Sequence, residues 1–381
     1  VLTPNEDIRP YAEIEVPYIL TYISQETLEC LILERTISLQ DLWDWYRETI
    51  EKYHKWASLQ AHHLKLRDQS IHSLPFPYAK PREGQTRLME AVARSLKTRT
   101  PLLAQAPTGS GKTMATLYPA LQSLADHQVD RIFYLTAKVA TREVAEQPLK
   151  DLEQVGLHAR AVTLMAKEQM CLAPELYCDT ALCPYAVHYY DRLDQGLERT
   201  LQASLIQQDF LKAVGKELGL CPFELSLDAA SYCDVIIGDY NYALDPRVKL
   251  DRFFGESEET SALLFDEAHT LADRSRDMFS ANLDLATFIS LKDMLPETAW
   301  FYQQMLQTVI THLEEMRDGI QNKDGAKAYL TEVQGVDLNK TQILEAPGFV
   351  GLTSQAPALV KLLRTFLKDF RDILDLDFPP N

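Results

Sequence analysis

The chain has 381 residues, of which 46% are hydrophobic, so it is long enough for two or three domains that each bury a core. Its formal net charge of −17 argues against a broadly basic nucleic-acid surface, but not against a local binding groove. No apolar run is long enough to span a bilayer and no signal peptide opens the chain, which argues against a membrane protein and predicts a cytoplasmic one.

The first residues indicate a β-hairpin followed by a helix. Segments 13–24 and 27–37 alternate apolar and polar residues and are joined by a short polar turn. Ser38 is a candidate N-cap, and apolar residues recur at helical spacing from Leu39 to Ala57. Because a hairpin and one helix do not form a closed core, we expect residues 1–74 to be the tail of an upstream domain.

A phosphate-loop pattern occupies residues 106–113, between an apolar run at 102–104 that reads as a strand and an amphipathic run at 114–124. Small residues let backbone N–H groups close around a phosphate, and a helix N-terminus adds partial positive charge. Lys112 would reach the β- and γ-phosphates, and the Thr113 hydroxyl would hold Mg²⁺. The pattern predicts an ATP site cradled by the backbone of Thr108, Gly109, Ser110 and Gly111.

Four cysteines follow with the spacing C-x6-C-x4-C-x37-C, at Cys171, Cys178, Cys183 and Cys221. Four thiolates are the ligands that a [4Fe–4S] cluster requires. Structural zinc is an alternative, although its sites usually offer tight C-x2-C pairs. Buried, inert thiols are a third interpretation. The remaining two cysteines, Cys30 and Cys233, are expected to lie in the core.

The second motif of the predicted ATP site is acidic. It follows an apolar, strand-like run at 262–265 and reads Asp-Glu-Ala-His at 266–269. Asp266 would complete the Mg²⁺ coordination, and Glu267 would orient the attacking water. Strand-like runs at 131–135, 161–164, 235–237 and 263–265, with helical stretches between them, predict an α/β fold with a mainly parallel sheet. Residues 284–381 are predicted to be mostly helical, with a polar break at 322–325.

Together these motifs resemble a known family. Ala-x-x-Gly-x-Gly-Lys-Thr with Asp-Glu-Ala-His is similar to superfamily 2 helicases, and the cysteines narrow the resemblance to the XPD/DinG-type iron–sulfur helicases. The segment 221–224 and the segments 234–237 and 240–242 are similar to the family sequence after its fourth cysteine. Some bacterial relatives carry a nuclease-like domain upstream, and residues 1–74 resemble its end. No Asp…Glu-x-Lys constellation is present, so we assign no nuclease activity.

The resemblance implies roles for residues outside the two ATP motifs. Tyr78, Arg82 and Gln85 match an adenine-recognition segment, in which an amide pairs with the base edge and an aromatic ring stacks on its face. A second matching segment follows the strand at 131–135 and holds the phosphates of single-stranded DNA in the family. The DNA contacts implied in this way are Thr136, Lys138, Thr141 and His269.

The implied architecture is a RecA-like P-loop motor with an inserted cysteine-ligated iron–sulfur domain and a helical arch-like domain. Residues 75–165 and 222–283 would form the motor, residues 166–221 the iron–sulfur cluster domain, and residues 284–381 the arch. The family continues into a second RecA-like domain, which we expect in the same gene product. No Gln-x-x-Gly-Arg-x-x-Arg segment supplies arginine fingers here, so this stretch alone is expected to hydrolyse ATP slowly if at all.

The implied function is an ATP-dependent DNA helicase that moves 5′→3′ on single-stranded DNA or on a 5′-tailed duplex, with a role in DNA repair. Its cofactors would be ATP, Mg²⁺ and a [4Fe–4S] cluster. One alternative is a nucleotide-gated module that grips DNA without unwinding it. Another is a P-loop ATPase that acts on protein and holds zinc at its cysteines.

Overall fold

A computed structural model of the chain describes residues 14–23, 29–82, 84–137, 142–174, 178, 182–255, 259–280, 283–320, 343–346, 349–352, 361 and 364. The chain divides into two compact units, Val1–Phe279 and Ser280–Asn381. Among the described helices, none combines the length and the apolar character that a membrane crossing needs.

The first unit opens with the predicted hairpin and helix. Strands β1 (Glu15–Ile23) and β2 (Cys30–Ser38) pair antiparallel, and helix α1 (Leu39–His72) follows directly. The Ser38 hydroxyl accepts a hydrogen bond from Asp41 N at 3.0 Å, which confirms the predicted N-cap. The hairpin's apolar residues stay exposed, and Cys30 with them, so the prediction that Cys30 lies in a core is wrong.

The last turns of α1 lie against the rest of the unit. Ile71 and Leu74 are buried in a core that also contains Leu117 and Leu121. Tyr118 donates a hydrogen bond from its hydroxyl to Leu74 O at 2.8 Å. Whatever precedes it in the chain, the C-terminal part of α1 therefore packs as part of this unit, while the domain boundary at residue 74 stays a prediction.

The centre of the unit is a five-stranded parallel sheet in the order β5-β4-β6-β3-β7. Its strands are β3 (Arg131–Thr136), β4 (Ala161–Thr163), β5 (Leu205–Ile206), β6 (Val235–Asp239) and β7 (Ser261–Phe265). The helices of the unit after α1 are α2 (Gln85–Thr98), α3 (Lys112–Ala125), α4 (Arg142–Gln154), α5 (Lys167–Met170), α6 (Tyr189–Thr200), α7 (Gln208–Leu218), α8 (Pro222–Ala230), α9 (Asn241–Leu244), α10 (Asp251–Phe254) and α11 (Leu271–Met278). The predicted α/β class with a parallel sheet is confirmed.

The sheet is buried on both faces, which explains its continuous apolar strands. Because successive side chains point to opposite faces, Phe133 and Leu135 enter one core while Ile132 and Tyr134 enter the other. Cys233, just before β6, is buried as predicted. Strand β5 lies inside the segment 166–221 assigned to the cluster domain, so this part of the segment extends the motor sheet.

Two details of the predicted sheet are wrong. The apolar run at 102–104, expected to be a strand, has no strand assignment, and Leu103 is 94% exposed. The apolar run of β7 is typical of a buried strand, yet Leu263 is 40% exposed, because β7 pairs only with β3 among the described strands. An apolar run forms a strand only where a neighbour accepts its backbone hydrogen bonds; β7 has such a neighbour on one side, and the run at 102–104 has none among the described strands.

The second unit contains helices α12 (Leu285–Met294) and α13 (Trp300–Ile320), which agree with the predicted helical character. It also contains an antiparallel hairpin of β8 (Ile343–Ala346) and β9 (Phe349–Leu352), which helical spacing did not predict. Ile343 to Leu352 is an apolar stretch of few residues, and such stretches do not distinguish a strand from a buried helix by periodicity alone. The polar break at 322–325 lies outside the described residues.

The buried carboxylate of Asp234 joins α1 to the end of the sheet where β6 begins. Asp234 Oδ1 accepts a hydrogen bond from Arg67 Nη1 at 2.9 Å, while its Oδ2 lies 2.9 Å from His63 Nε2 and 2.8 Å from Arg160 N. Burial alone would raise the pKa of Asp234, but His63 and Arg67 outweigh burial and hold that pKa below its ordinary value. The charged form of Asp234 is therefore the one the fold stabilises.

We predict that Asp234→Asn lowers the free energy of unfolding by about 3 kcal/mol, because it removes the charge that compensates the buried Arg67 guanidinium. Since the folded pKa of Asp234 is depressed, its contribution is present above the ordinary carboxyl pKa of 3.8 and is lost as the pH falls through the lower folded value. Urea unfolding at several pH values measures both effects.

The control is Asp126→Asn, which removes the exposed contact with His72 at 3.4 Å and should cost less than about 0.5 kcal/mol. Equal losses for the two variants, or an unchanged acid limb of the stability profile in Asp234→Asn, would contradict this account of the network.

Candidate functional site

The candidate ATP site lies where the carboxyl ends of β3 and β7 meet the start of α3. In an open parallel sheet, ligands bind outside the carboxyl ends of the strands, because loops and helix N-termini converge there. Asp266 follows β7 directly, and its backbone N–H donates to Leu135 O of β3 at 2.9 Å. The β3–β7 pairing thus carries the acidic turn to the edge of the sheet where the phosphate loop lies.

The phosphate loop takes a conformation that needs glycine at two points. Gly109 and Gly111 have φ values of 73° and 80°, in the left-handed region that side chains disfavour. Helix α3 begins immediately after Gly111, and its first backbone bond runs from Ala115 N to Gly111 O at 3.0 Å. The N–H groups of the first turn are therefore free of helical partners and suit a phosphate, as the sequence predicts.

The structure brings the predicted phosphate-binding lysine to the acidic turn. Lys112 Nζ lies 4.0 Å from Glu267 Oε1 and donates to Ala106 O at 3.2 Å. This side chain spans from the phosphate loop to the Asp-Glu-Ala-His turn, which are 154 residues apart when counted from Lys112 to Asp266 (266 − 112). Two motifs that were linked only by resemblance therefore form one site.

Glu267 has an unusual backbone that its neighbours hold in place. Its φ of 55° lies in the left-handed region, which costs a non-glycine residue about 1 kcal/mol. Thr270 compensates by donating from both N and Oγ1 to Glu267 O, each at 3.0 Å. The hydroxyl of the buried Tyr240 donates to Asp266 O on the preceding residue. The turn is thus fixed from two sides before any ligand arrives.

The side chain of Tyr134 on β3 also contacts the candidate ATP site. Its hydroxyl lies 3.4 Å from Thr113 Oγ1, and burial, followed by the nearby Asp266, raises the pKa of Tyr134. Its phenol is therefore neutral at physiological pH. Sequence reasoning missed Tyr134 and Tyr240; the signal available was a phenol at the end of each apolar strand, since a buried hydroxyl needs a partner.

The residues assigned to adenine lie against the phosphate loop instead of an open pocket. Gln85 is buried; its Oε1 accepts from Arg82 N at 2.8 Å, and its Nε2 donates to Gly111 O at 3.0 Å. Arg82 donates from Nη1 to Gly109 O. A Cβ on Gly111 would lie 2.6 Å from Gln85 Nε2, so this glycine is also needed for close packing. The side-chain amide of Gln85 is thus occupied by the protein.

Tyr78 is nearly half-exposed and donates from its hydroxyl to Asp151 Oδ2 at 2.6 Å. This hydrogen bond, with a smaller contribution from burial, raises the pKa of Tyr78 to about 12. The ring remains partly open to solvent, so a base could stack on it. Arg82 is also exposed, whereas Gln85 is buried.

The predicted DNA contacts are only partly described. Thr136, at the carboxyl end of β3, is buried, which leaves its side chain little access to a bound strand. Lys138 and Thr141 lie outside the described residues. His269 is exposed, with its Nδ1 at 3.4 Å from Glu267 Oε2. The structure therefore brings His269 to the turn that carries Glu267.

A backbone hydrogen bond links the segments that carry two of the four candidate cysteines, Cys183 and Cys221. Cys221 N donates to Tyr185 O at 3.0 Å, and Tyr185 lies in the turn that begins at Cys183. Cys171 caps the end of α5, whose Lys167 lies over the Phe223 ring of α8 at 5.4 Å. Within the described part of the chain, no three Cys, His, Asp or Glu side chains are close enough to hold a metal ion.

Cys178 is exposed, and its neighbours at 175–177 and 179–181 lie outside the described residues. Cys221 stands at the N-terminus of α8, with Pro222 at the first helical position. Burial raises the pKa of the Cys221 thiol, while the backbone N–H groups of Glu224 and Phe223 act in the opposite direction. Those two N–H groups would stabilise negative charge on the sulfur.

Comparisons with known proteins point the same way as the motifs. The DEAD_2 family model matches residues 138–288. "Regulator of telomere elongation helicase 1 homolog" of Anopheles gambiae is 26% identical over 269 residues, covering 56% of this chain and 27% of that protein. "General transcription and DNA repair factor IIH helicase subunit XPD" of Arabidopsis thaliana is 24% identical over 244 residues, covering 55% of this chain and 31% of that protein.

Among solved structures, "Truncated XPD" aligns with a TM-score of 0.45 and 18% identity over 76% of each chain, too weak a likeness to carry an argument. The matched region spans less than a third of the length of either relative named above. The DEAD_2 match and these helicase relatives, together with a phosphate loop that meets an Asp-Glu-Ala-His turn, confirm the predicted resemblance of this chain to the XPD/DinG-type superfamily 2 helicases.

Proposed function

We propose that this chain carries the ATP-binding half of an ATP-dependent DNA helicase. The observation that supports this best is the approach of Lys112 Nζ to Glu267 Oε1 at 4.0 Å, since it joins a phosphate-binding cation to a carboxylate that can act on water. The domain scheme of motor, cluster domain and arch remains part of the proposal, as does the second RecA-like domain in the same gene product.

ATP would bind with its phosphates on the N–H groups of the phosphate loop and the first turn of α3. Lys112 would then exchange Ala106 O for the β- and γ-phosphate oxygens. Glu267 would keep its place through the bonds from Thr270 and orient a water for attack on the γ-phosphorus. This step breaks the bond to the β-phosphate oxygen, and ADP and inorganic phosphate leave.

Magnesium fits the oxygen donors that lie beside the phosphate loop. Thr113 supplies a hydroxyl and Asp266 a carboxylate, which are the hard ligands that Mg²⁺ prefers. When bound, Mg²⁺ would neutralise charge on the phosphate oxygens. Residues Thr113 and Asp266 would hold it, and Gln85 and Arg82 would support the loop backbone around it through Gly111 and Gly109.

We also assign roles in adenine binding to Tyr78, Gln85 and Arg82. Tyr78 is the candidate for stacking on the base, because its ring is open to solvent. Gln85 and Arg82 bind the phosphate-loop backbone in this structure, so we propose that they act on adenine only after that contact is exchanged. Ligand binding would then be coupled to the shape of the loop.

We propose a [4Fe–4S] cluster at Cys171, Cys178, Cys183 and Cys221. The chemistry of the donors supports it, because four thiols occur in one segment and N–H groups at the start of α8 lie near the Cys221 sulfur. Zinc remains the competing metal, since it also binds thiolates. Burial makes an unpaired Cys221 thiolate unfavourable. Either metal would stabilise the thiolate, because the metal takes the place of the thiol proton.

We further propose that the substrate is single-stranded DNA or a 5′-tailed duplex and that movement is 5′→3′. The printed names of the relatives support DNA as the partner and DNA repair as the setting. Thr136, Lys138, Thr141 and His269 are the proposed DNA contacts. Cytoplasmic localisation also belongs to the proposal.

We predict that Lys112→Ala weakens ATP binding at least about tenfold, since it removes a charge-assisted contact with the phosphates. Glu267→Gln should preserve binding and slow hydrolysis by about 10²–10⁴-fold, because its role begins at the chemical step. Fluorescent-nucleotide titration and phosphate release with single-stranded DNA measure the two effects in the full-length protein. Lys97→Ala, on the exposed end of α2, is the control; parent-level hydrolysis by both site variants would refute the assignment.

For the cysteines, we predict that anaerobically purified protein is brown and contains about four irons per chain. Cys221→Ser should lose the colour, while Cys30→Ser should retain it because Cys30 lies on the exposed hairpin. Visible absorption and metal analysis give the result. Colourless protein that contains one zinc ion per chain would contradict the cluster and indicate a zinc site instead.

A further inference from the structure

The feature behind this inference is the hydroxyl of Tyr134. Tyr134 lies in the central part of the sheet, paired with Ile237 of β6 on one side and Leu264 of β7 on the other. Its ring is buried in the core between the sheet and α3, with 2% of the residue exposed. Strand pairing and core packing therefore fix where the phenol oxygen stands.

That oxygen contacts one of the two side chains that we assign to magnesium. It lies 3.4 Å from Thr113 Oγ1 on α3, and the second side chain belongs to Asp266, whose backbone N–H donates to the neighbouring Leu135 O at 2.9 Å. A phenol can donate one hydrogen bond and accept another. Tyr134 donates to the threonine oxygen, which keeps a second lone pair for a metal.

The main chain of Asp266 is fixed separately. Its N–H donates to Leu135 O of β3 at 2.9 Å, and its carbonyl accepts from the Tyr240 hydroxyl. With the backbone held from both sides, the carboxylate is oriented by its own contacts, which include the N–H of Glu267 at 3.1 Å.

Other tyrosines of the unit show what a purely structural hydroxyl does. Tyr118 donates to Leu74 O at 2.8 Å and Tyr242 donates to Met165 O at 3.0 Å, so each ties two backbone segments together. The hydroxyl of Tyr134 instead contacts a side chain, Thr113, which belongs to the proposed metal site. Phenylalanine would fill the same space in the core, so the hydroxyl is not needed for packing.

We propose that Tyr134 is a positioning residue for magnesium, which holds the Thr113 hydroxyl in place through its own hydroxyl. The proposal rests on the ATP site described above and adds a residue to it. Groups that orient metal ligands by hydrogen bonds commonly change metal affinity by about tenfold or more when they are removed. Tyr134 should therefore affect the metal more than the nucleotide.

The test compares Tyr134→Phe with the parent protein and with Tyr242→Phe, which loses a part-buried hydroxyl bond to the backbone of Met165. Binding of a fluorescent ATP analogue is titrated with Mg²⁺, and separately in EDTA. We expect Tyr134→Phe to raise the Mg²⁺ concentration at half-saturation about tenfold and to leave the affinity in EDTA within about twofold of the parent value. Tyr242→Phe should match the parent in both titrations.

A double variant tests whether Tyr134 acts through Thr113. Thr113→Val removes the hydroxyl, so adding Tyr134→Phe to it should weaken Mg²⁺ dependence further by much less than the change in the parent background. An equal Mg²⁺ midpoint in Tyr134→Phe and the parent overturns the proposal, and so does a loss of nucleotide affinity in EDTA, which would mean a structural role. If the parent protein binds no nucleotide, the proposed function fails, and this inference fails with it.

Discussion

The pairing of β3 with β7 is the constraint on which the candidate site depends. It places Asp266 beside Leu135 through a backbone hydrogen bond of 2.9 Å, at the sheet edge where α3 begins. Without that pairing, Glu267 would have no fixed relation to Lys112, and the two motifs would remain distant stretches of sequence. Hydrophobic burial of β3 on both faces makes the pairing stable, because its side chains fill two cores at once.

Around this pairing, the site is largely prepared before ligand binding. Glu267 keeps a left-handed backbone because Thr270 and Tyr240 hold the turn, and Gln85 holds Gly111 from the opposite side. Such strain is tolerated only where surrounding contacts outweigh its cost. Because the Asp-Glu-Ala-His turn needs little reorganisation, the binding energy of ATP can go into aligning its phosphates and the attacking water.

The candidate residues of the site could be read from the sequence more easily than their surroundings. Lys112, Thr113 and Asp266 were identifiable as candidates because phosphate and magnesium chemistry restricts the residue types and their spacing. Tyr134 was not, since its role depends on which helix packs above β3, and that is a tertiary fact. The run at 102–104 was misjudged for the same reason: apolar character specifies a strand only together with a neighbour, and Leu103 is 94% exposed.

The central claim is that the phosphate loop and the Asp-Glu-Ala-His turn form one ATP site, and hydrogen–deuterium exchange with and without Mg²⁺ and an ATP analogue tests it most directly. Peptides that cover residues 106–114 and 264–270 should gain protection together, at the same nucleotide concentration, while the exposed hairpin of β1 and β2 should not change. Protection confined to the phosphate loop, with the turn at Glu267 unaffected, would contradict the account.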